Sequence, residues 1–164
     1  MEKQLILFRH GKSDWDAIFE TDCQRPLAKR GMKASKVMGK LLADAAQMPD
    51  LVITSSAVRA SSTVELAAEA GQWNCPVQST DTLYDADPAR VLAVILQTPD
   101  TVGTLLLVGH EPTWSELTSL LIGGGEIRFP TAAMARIDFE LDSWQQVGYS
   151  KGRLVWLLQP KFFT

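Results

Sequence analysis

Histidine is scarce in this chain: 164 residues carry only His10 and His110. Cysteine is as rare, with Cys23 and Cys75 alone. Two cysteines make no disulfide framework, and these two stand at no metal-binding spacing. Free thiols in a reducing compartment are the expected state. Long apolar runs are missing. None approaches the roughly 18 residues of a membrane span, and the apolar part of the N-terminal MEKQLILFRHG is too short for a signal peptide. A cytoplasmic protein with no membrane contact is expected. A basic tract is missing too. The 16 basic residues lie scattered among 19 acidic ones, for a net charge of -3, so nothing is fit to track a nucleic-acid backbone. No third ligand accompanies the histidines at zinc spacing. Neither histidine is flanked by a carboxylate cluster of the magnesium type, so neither metal nor other cofactor is expected.

What is present reads as one globular domain over residues 1–164, with 46% hydrophobic and 21% charged residues. QLILF predicts a buried strand over 4–8, followed by a long polar loop from Gly11 to Pro26. Met32, Val37, Met38, Leu41, Leu42 and Ala45 recur at helical spacing between Ala28 and about Gln47. LVITS predicts a second strand. A helix from Ala57 to about Ala70 follows, capped by Ser56 and closed by Gly71. CPVQS suggests a short strand, and Asp87-Pro88 a helix start. TLLLVG is another apolar strand. The helix after it opens at Pro112 and stops at the glycines 123–125. AMARIDFEL and RLVWLLQ close the chain as two strands with no helix between them. Strands alternating with helices, and apolar on both faces, predict an α/β fold. It is a three-layer αβα sandwich with a mostly parallel central sheet and an antiparallel edge.

Ligands of open α/β sheets bind beyond the carboxyl ends of the strands. Three strands here end in polar residues. The first ends at Arg9-His10-Gly11, the second runs into TSSAVRASST with Arg59, and the fourth ends at Gly109-His110-Glu111-Pro112. A parallel sheet would gather Arg9, Arg59 and both histidines into one pocket. Two guanidiniums beside two imidazoles are costly unless an anion neutralises them. The planar fork of arginine suits phosphate oxygens, and helix N-termini after the second and fourth strands add backbone N–H groups. A neutral imidazole can also accept a phosphoryl group as a nucleophile. Taken alone, a histidine at a strand end more often serves a structural role, and Arg59 reads as a solvated helix residue. The two histidines at matched strand ends change that balance.

FRHGKSDW resembles the RHG signature of the histidine phosphatase superfamily, the phosphoglycerate-mutase-like phosphatases. RPLAKRGMKA is similar to that family's L-T-x-x-G segment, with Ala28 in place of threonine, and TSSAVRASST to its S-x-x-x-R-A-x-x-T motif. LVGHEP is similar to its second-histidine motif. The short chain most resembles the SixA-type phosphohistidine phosphatases. The resemblance implies a phosphoglycerate-mutase-like fold. It makes His10 the phosphorylated nucleophile, Arg9 and Arg59 the ligands of the phosphoryl oxygens, and His110 the group that completes the pocket. It implies a general acid near LYDADP, where Asp85 stands at the expected place. Asp87 reads better as a helix cap, and Glu111 is a further candidate. Two positions depart from the mutase-like pattern: Lys12 replaces an acid or glutamine, and Asp16 an asparagine. The chain also lacks room for the insertions that shape mutase pockets, so mutase activity is not expected.

The expected function is hydrolysis of phosphohistidine in a protein partner, without metal, through phospho-His10. Two alternatives stay open. One is a phosphatase of a small phosphorylated metabolite with the same chemistry, a choice in which Lys12, Glu111 and the loop 11–26 would weigh. The other is a non-catalytic module that senses phosphorylated partners, against which the intact nucleophile argues.

Overall fold

The computed structural model describes residues 2–164. The elements are β1 (Lys3–Arg9), α1 (Lys29–Asp44), β2 (Leu51–Ser55), α2 (Val58–Gly71), β3 (Val77–Thr80), α3 (Pro88–Leu96), β4 (Thr104–Gly109), α4 (Thr113–Ile122), β5 (Met134–Phe139) and β6 (Arg153–Leu158). The six strands form one sheet in the order β3-β2-β4-β1-β5-β6. The first four in that order run parallel, and β5 and β6 add an antiparallel edge. This is the α/β sandwich that the alternating pattern predicts.

Both faces of the sheet are buried, which is why β1, β2 and β4 read as continuous apolar runs rather than alternating ones. Leu5, Leu7, Ile53, Leu105 and Leu107 face a core shared with Val91 and Ile95 of α3 and Trp114, Leu117 and Leu121 of α4. Ile6, Phe8, Val52, Leu106 and Val108 face Met38 and Leu42 of α1 and Val64 and Ala67 of α2. Each large side chain so enclosed stabilises the fold by roughly 1.5–3 kcal/mol relative to exposure.

Several local expectations are corrected. In α1 the buried stripe is Gly31, Ser35, Met38, Gly39 and Leu42, whereas Met32 and Ala45 are exposed. Small residues win this face because α1 and α2 approach very closely. A Cβ at Gly39 would stand 2.0 Å from the Ala67 carbonyl oxygen, and one at Gly71 would stand 2.3 Å from the Gly39 oxygen. Gly71 therefore lies inside α2 as a packing residue, and Gln72 closes the helix in the left-handed conformation at φ 52°. Ser56 is not the cap of α2. Ala57 holds that position, and its N–H reaches back to Ser55 Oγ at 3.3 Å. Other ends match: Asp87 caps α3 by accepting the Arg90 N–H, and Gly123 stops α4 at φ 99°.

Candidate active site

Strand order brings the two histidines together. β1 and β4 are neighbours, with Arg9 opposite Gly109. The residue after each is a histidine, and the His10 backbone N–H still donates to the Gly109 carbonyl at 3.0 Å. The two imidazoles sit 5.1 Å apart between ring centres. β2 flanks β4 on the other side, so its end delivers Ser55 and, one turn into α2, Arg59.

The turn after His10 is shaped by backbone contact. A Cβ on Gly11 would stand 2.7 Å from the Gly31 oxygen, and one on Gly31 would stand 2.2 Å from the Lys12 oxygen. Glycine at both positions lets the loop lie against the first turn of α1, where the Ala28 N–H donates to Lys12 at 2.9 Å. The Gly11 N–H donates to Thr63 Oγ1 at 3.0 Å, and the Thr63 hydroxyl donates to the Arg59 carbonyl at 2.7 Å. One threonine thus couples the His10 turn to the arginine of α2.

Hydrogen bonding fixes the His10 tautomer. Nδ1 lies 2.7 Å from the Gly11 carbonyl, which can only accept, so Nδ1 carries the proton. The lone pair is left on Nε2. Burial holds the His10 pKa down to about 3; His110, Arg59 and Arg9 push the same way, against the Gly11 bond. His110 is lowered to about 4, first by burial and then by Arg59, with Asp22 opposing. Both rings are neutral at pH 7. His110 Nε2 shares a 2.8 Å hydrogen bond with Ser55 Oγ.

Asp22, which the sequence patterns leave unmarked, is the hub of the cations. Its Oδ2 accepts from Arg59 Nη2 at 3.0 Å and from the Tyr84 hydroxyl at 2.7 Å, and its Oδ1 pairs with Arg25. Arg59 Nη1 adds a bond to the Asp22 carbonyl at 2.8 Å. The Tyr84 hydroxyl leads in holding the Asp22 pKa at about 2, with Arg25 and Arg59 assisting. Arg25 Nε also donates to buried Ser13 Oγ at 3.0 Å. Arg9 turns the other way, its Nη1 donating to the Phe129 carbonyl at 2.9 Å.

Some buried polar atoms of this cluster have no partner among the described residues. Among the described residues, four buried side-chain polar atoms lack one: Arg9 Nε, Arg59 Nε, His110 Nδ1 and Trp114 Nε1. Leaving such a group unmet costs about 1–3 kcal/mol. Three belong to the residues that converge here, and Trp114 lines a 140 Å³ cavity with Arg59, Tyr84, Asp85, His110 and Glu111. Donors collected around neutral imidazoles suit an oxyanion.

The candidate acids differ in what they already do. Asp87 is occupied as the cap of α3, and Glu111 accepts the Ser115 N–H at 2.6 Å at the start of α4. Asp85 is exposed at the rim of the cavity, in the left-handed conformation at φ 51° that aspartate tolerates. Lys12 and Asp16 are exposed, and neither joins the Asp22 cluster. No group of three or more His, Cys, Asp or Glu among the described residues could hold a metal ion.

Residues 5–91 match the model of the histidine phosphatase superfamily (branch 1). The chain belongs to this superfamily. A Mycobacterium leprae protein of uncharacterised function is 31% identical over 165 residues, covering 93% of this chain and 99% of its own. A structure described as that of a SixA phosphohistidine phosphatase from Agrobacterium tumefaciens is 28% identical, with a TM-score of 0.81 over 96% of this chain and 98% of that one. A protein histidine phosphatase SixA complexed with tungstate shares the fold at a TM-score of 0.84 and 24% identity, over 98% of this chain and 99% of that one. Superfamily and fold are those of an enzyme of the phosphatase or mutase type. No helix is long and apolar enough to cross a membrane among the described residues.

Proposed function

We propose that this protein hydrolyses phosphohistidine, a phosphoramidate, on a partner protein through a phospho-His10 intermediate. The observation that carries this reading is the pairing of a tautomer-fixed, neutral His10 with unpartnered buried donors on Arg9 and Arg59. His10 Nε2 attacks phosphorus, and the P–N bond to the substrate imidazole breaks. The leaving nitrogen takes a proton from Asp85 or from water. Water then attacks phospho-His10, releasing inorganic phosphate and restoring the ring. Arg9 and Arg59 hold the phosphoryl oxygens and, with His110, stabilise the charge on them during transfer. The steps are assigned to these side chains and water, and the scheme calls on no metal or cofactor.

Asp85 is the acid of choice because its carboxylate, unlike those of Asp87 and Glu111, caps no helix. Its exposure suits a leaving group that needs little help, since a protonated imidazole departs readily from phosphorus. A protein-borne phosphate also needs a site at the surface, and the likeness to the Agrobacterium SixA structure supports the same substrate class. The two cysteines are unpaired, which accords with a cytoplasmic location.

The test is a rapid quench with a labelled phosphoramidate or phosphohistidine peptide. Label trapped on His10, acid-labile and base-stable, is expected, and His10→Ala should lose both labelling and turnover. Hydrolysis that survives His10→Ala, or that stops with EDTA, overturns the mechanism. A panel in which sugar phosphates outrun phosphohistidine peptide assigns the site to a small metabolite instead.

A further inference from the structure

A second cavity, of about 390 Å³, is lined by Lys12 and Gly31 near the His10 turn. Two of its walls are tied through the backbone to the His10 turn. Lys12 follows His10 by two residues, a span of no more than roughly 7 Å. The opposite wall holds Pro130 and Thr131, and the next residue, Ala132, donates its N–H to the His10 carbonyl at 3.0 Å. Four cations line this cavity: Lys12, Arg30, Lys33 and Lys161. All four are exposed. The ion pairs among the described residues engage Arg25, Lys40, Arg59, Arg136 and Arg153, and none of these four. The Lys161 ammonium stands 5.2 Å from the centre of the Phe162 ring. In a chain of net charge -3, this concentration of unpaired positive charge calls for an anionic occupant.

The character of the cations says which anion. At the candidate active site the donors are buried, forked and aimed at one point. Here they stand on long exposed stems around a surface that includes Ala34, Pro130 and Pro160, and none is a buried donor without a partner. Three ammonium groups and one guanidinium spread on long stems around an apolar surface suit several carboxylates strung along a chain better than one phosphoryl group.

We propose that this cavity receives an acidic segment of the partner protein, bound beside the phosphoryl group presented to His10. The proposal rests on the phosphoprotein reading above. It makes Lys12, Arg30, Lys33 and Lys161 determinants of partner choice rather than of chemistry.

Two measurements test it. The first is fluorescence anisotropy of a labelled, unphosphorylated peptide of alternating Glu and Ala, with a Gln-Ala peptide as control. The Glu peptide should bind, weaken as NaCl rises, and lose about tenfold or more in affinity on Lys33→Glu/Lys161→Glu. The Gln peptide should not bind. Melting curves of the variant serve as the folding control. The second is turnover of phosphohistidine peptides with acidic and with neutral flanks. The wild-type protein should prefer the acidic flank, and the variant should lose that preference while hydrolysing phosphoramidate at the wild-type rate. Equal binding of the Glu peptide by both proteins, or a site that takes pyrophosphate but not the peptide, overturns the proposal. Failure to turn over phosphoramidate and both peptides overturns the catalytic reading instead, and the anisotropy arm still decides the cavity.

Discussion

Two histidines held far below the ordinary imidazole pKa must leave a mark on the pH dependence of folding. In the unfolded chain both titrate near 6.5, and in the folded protein His10 titrates near 3 and His110 near 4. At pH 5 the unfolded state therefore binds a proton on each ring that the folded state refuses. Stability that is fully present above pH 6.5 is lost as the pH falls through the window between 6.5 and the folded values. From pH 7 to pH 5 the loss is about 2 kcal/mol for each histidine, and about 4 kcal/mol for the two together. Urea unfolding at the two pH values measures it, with His10→Gln/His110→Gln as the reference that carries no imidazole. Carboxylates titrate in both proteins and cancel in the difference. The wild-type protein should lose about 4 kcal/mol more than the double variant across this interval. An equal loss in the two would mean that the imidazoles are not held neutral by burial, and the argument for a ready nucleophile would fall with it.

Three further outcomes follow from the geometry. Asp85→Asn should slow an alkyl phosphate far more than phosphoramidate, because only the poorer leaving group depends on the acid; equal slowing in steady-state assays removes Asp85 from the mechanism. Arg59→Ala should lower kcat/KM by roughly 10²–10³, as loss of an oriented donor to developing charge does; a change in KM alone would assign Arg59 to ground-state binding. Gly39→Ala should destabilise, although alanine gains roughly 1 kcal/mol of helix propensity over glycine. Its Cβ would press on the Ala67 carbonyl, an overpacking that costs about 1–3 kcal/mol. A rise in the melting temperature would show that α1 and α2 separate easily.

The sheet and the two histidines were legible in the sequence because both are written in short range. An apolar run ending in Gly-His or Arg-His marks a strand end wherever it occurs, and neighbouring parallel strands bring such ends together. Asp22, Arg25 and Tyr84 were not legible as a cluster. They meet across loops with no periodicity, and Asp22 is 37 residues from Arg59 and 62 from Tyr84. Ser55 reads as the last residue of an apolar strand, and only the neighbouring β4 reveals that its hydroxyl meets His110. The α1 stripe and the place of Gly71 share one cause. Periodicity weighs large apolar residues, whereas this helix pair is packed through Gly39 and Gly71, whose value lies in what they leave out.

The position of β1 has a consequence for the order in which a ribosome completes this protein. Although it emerges first, β1 pairs only with β4 and β5, while β2 pairs with β3 and β4. Until residue 109 has left the exit tunnel, the opening strand has no partner to zip against, and the nascent chain holds two unconnected halves of a sheet. A fragment ending at residue 91 retains His10, Arg9 and Arg59 yet lacks the strand that joins them. Catalytic competence should thus arrive abruptly and late during translation, rather than growing with the length of chain made.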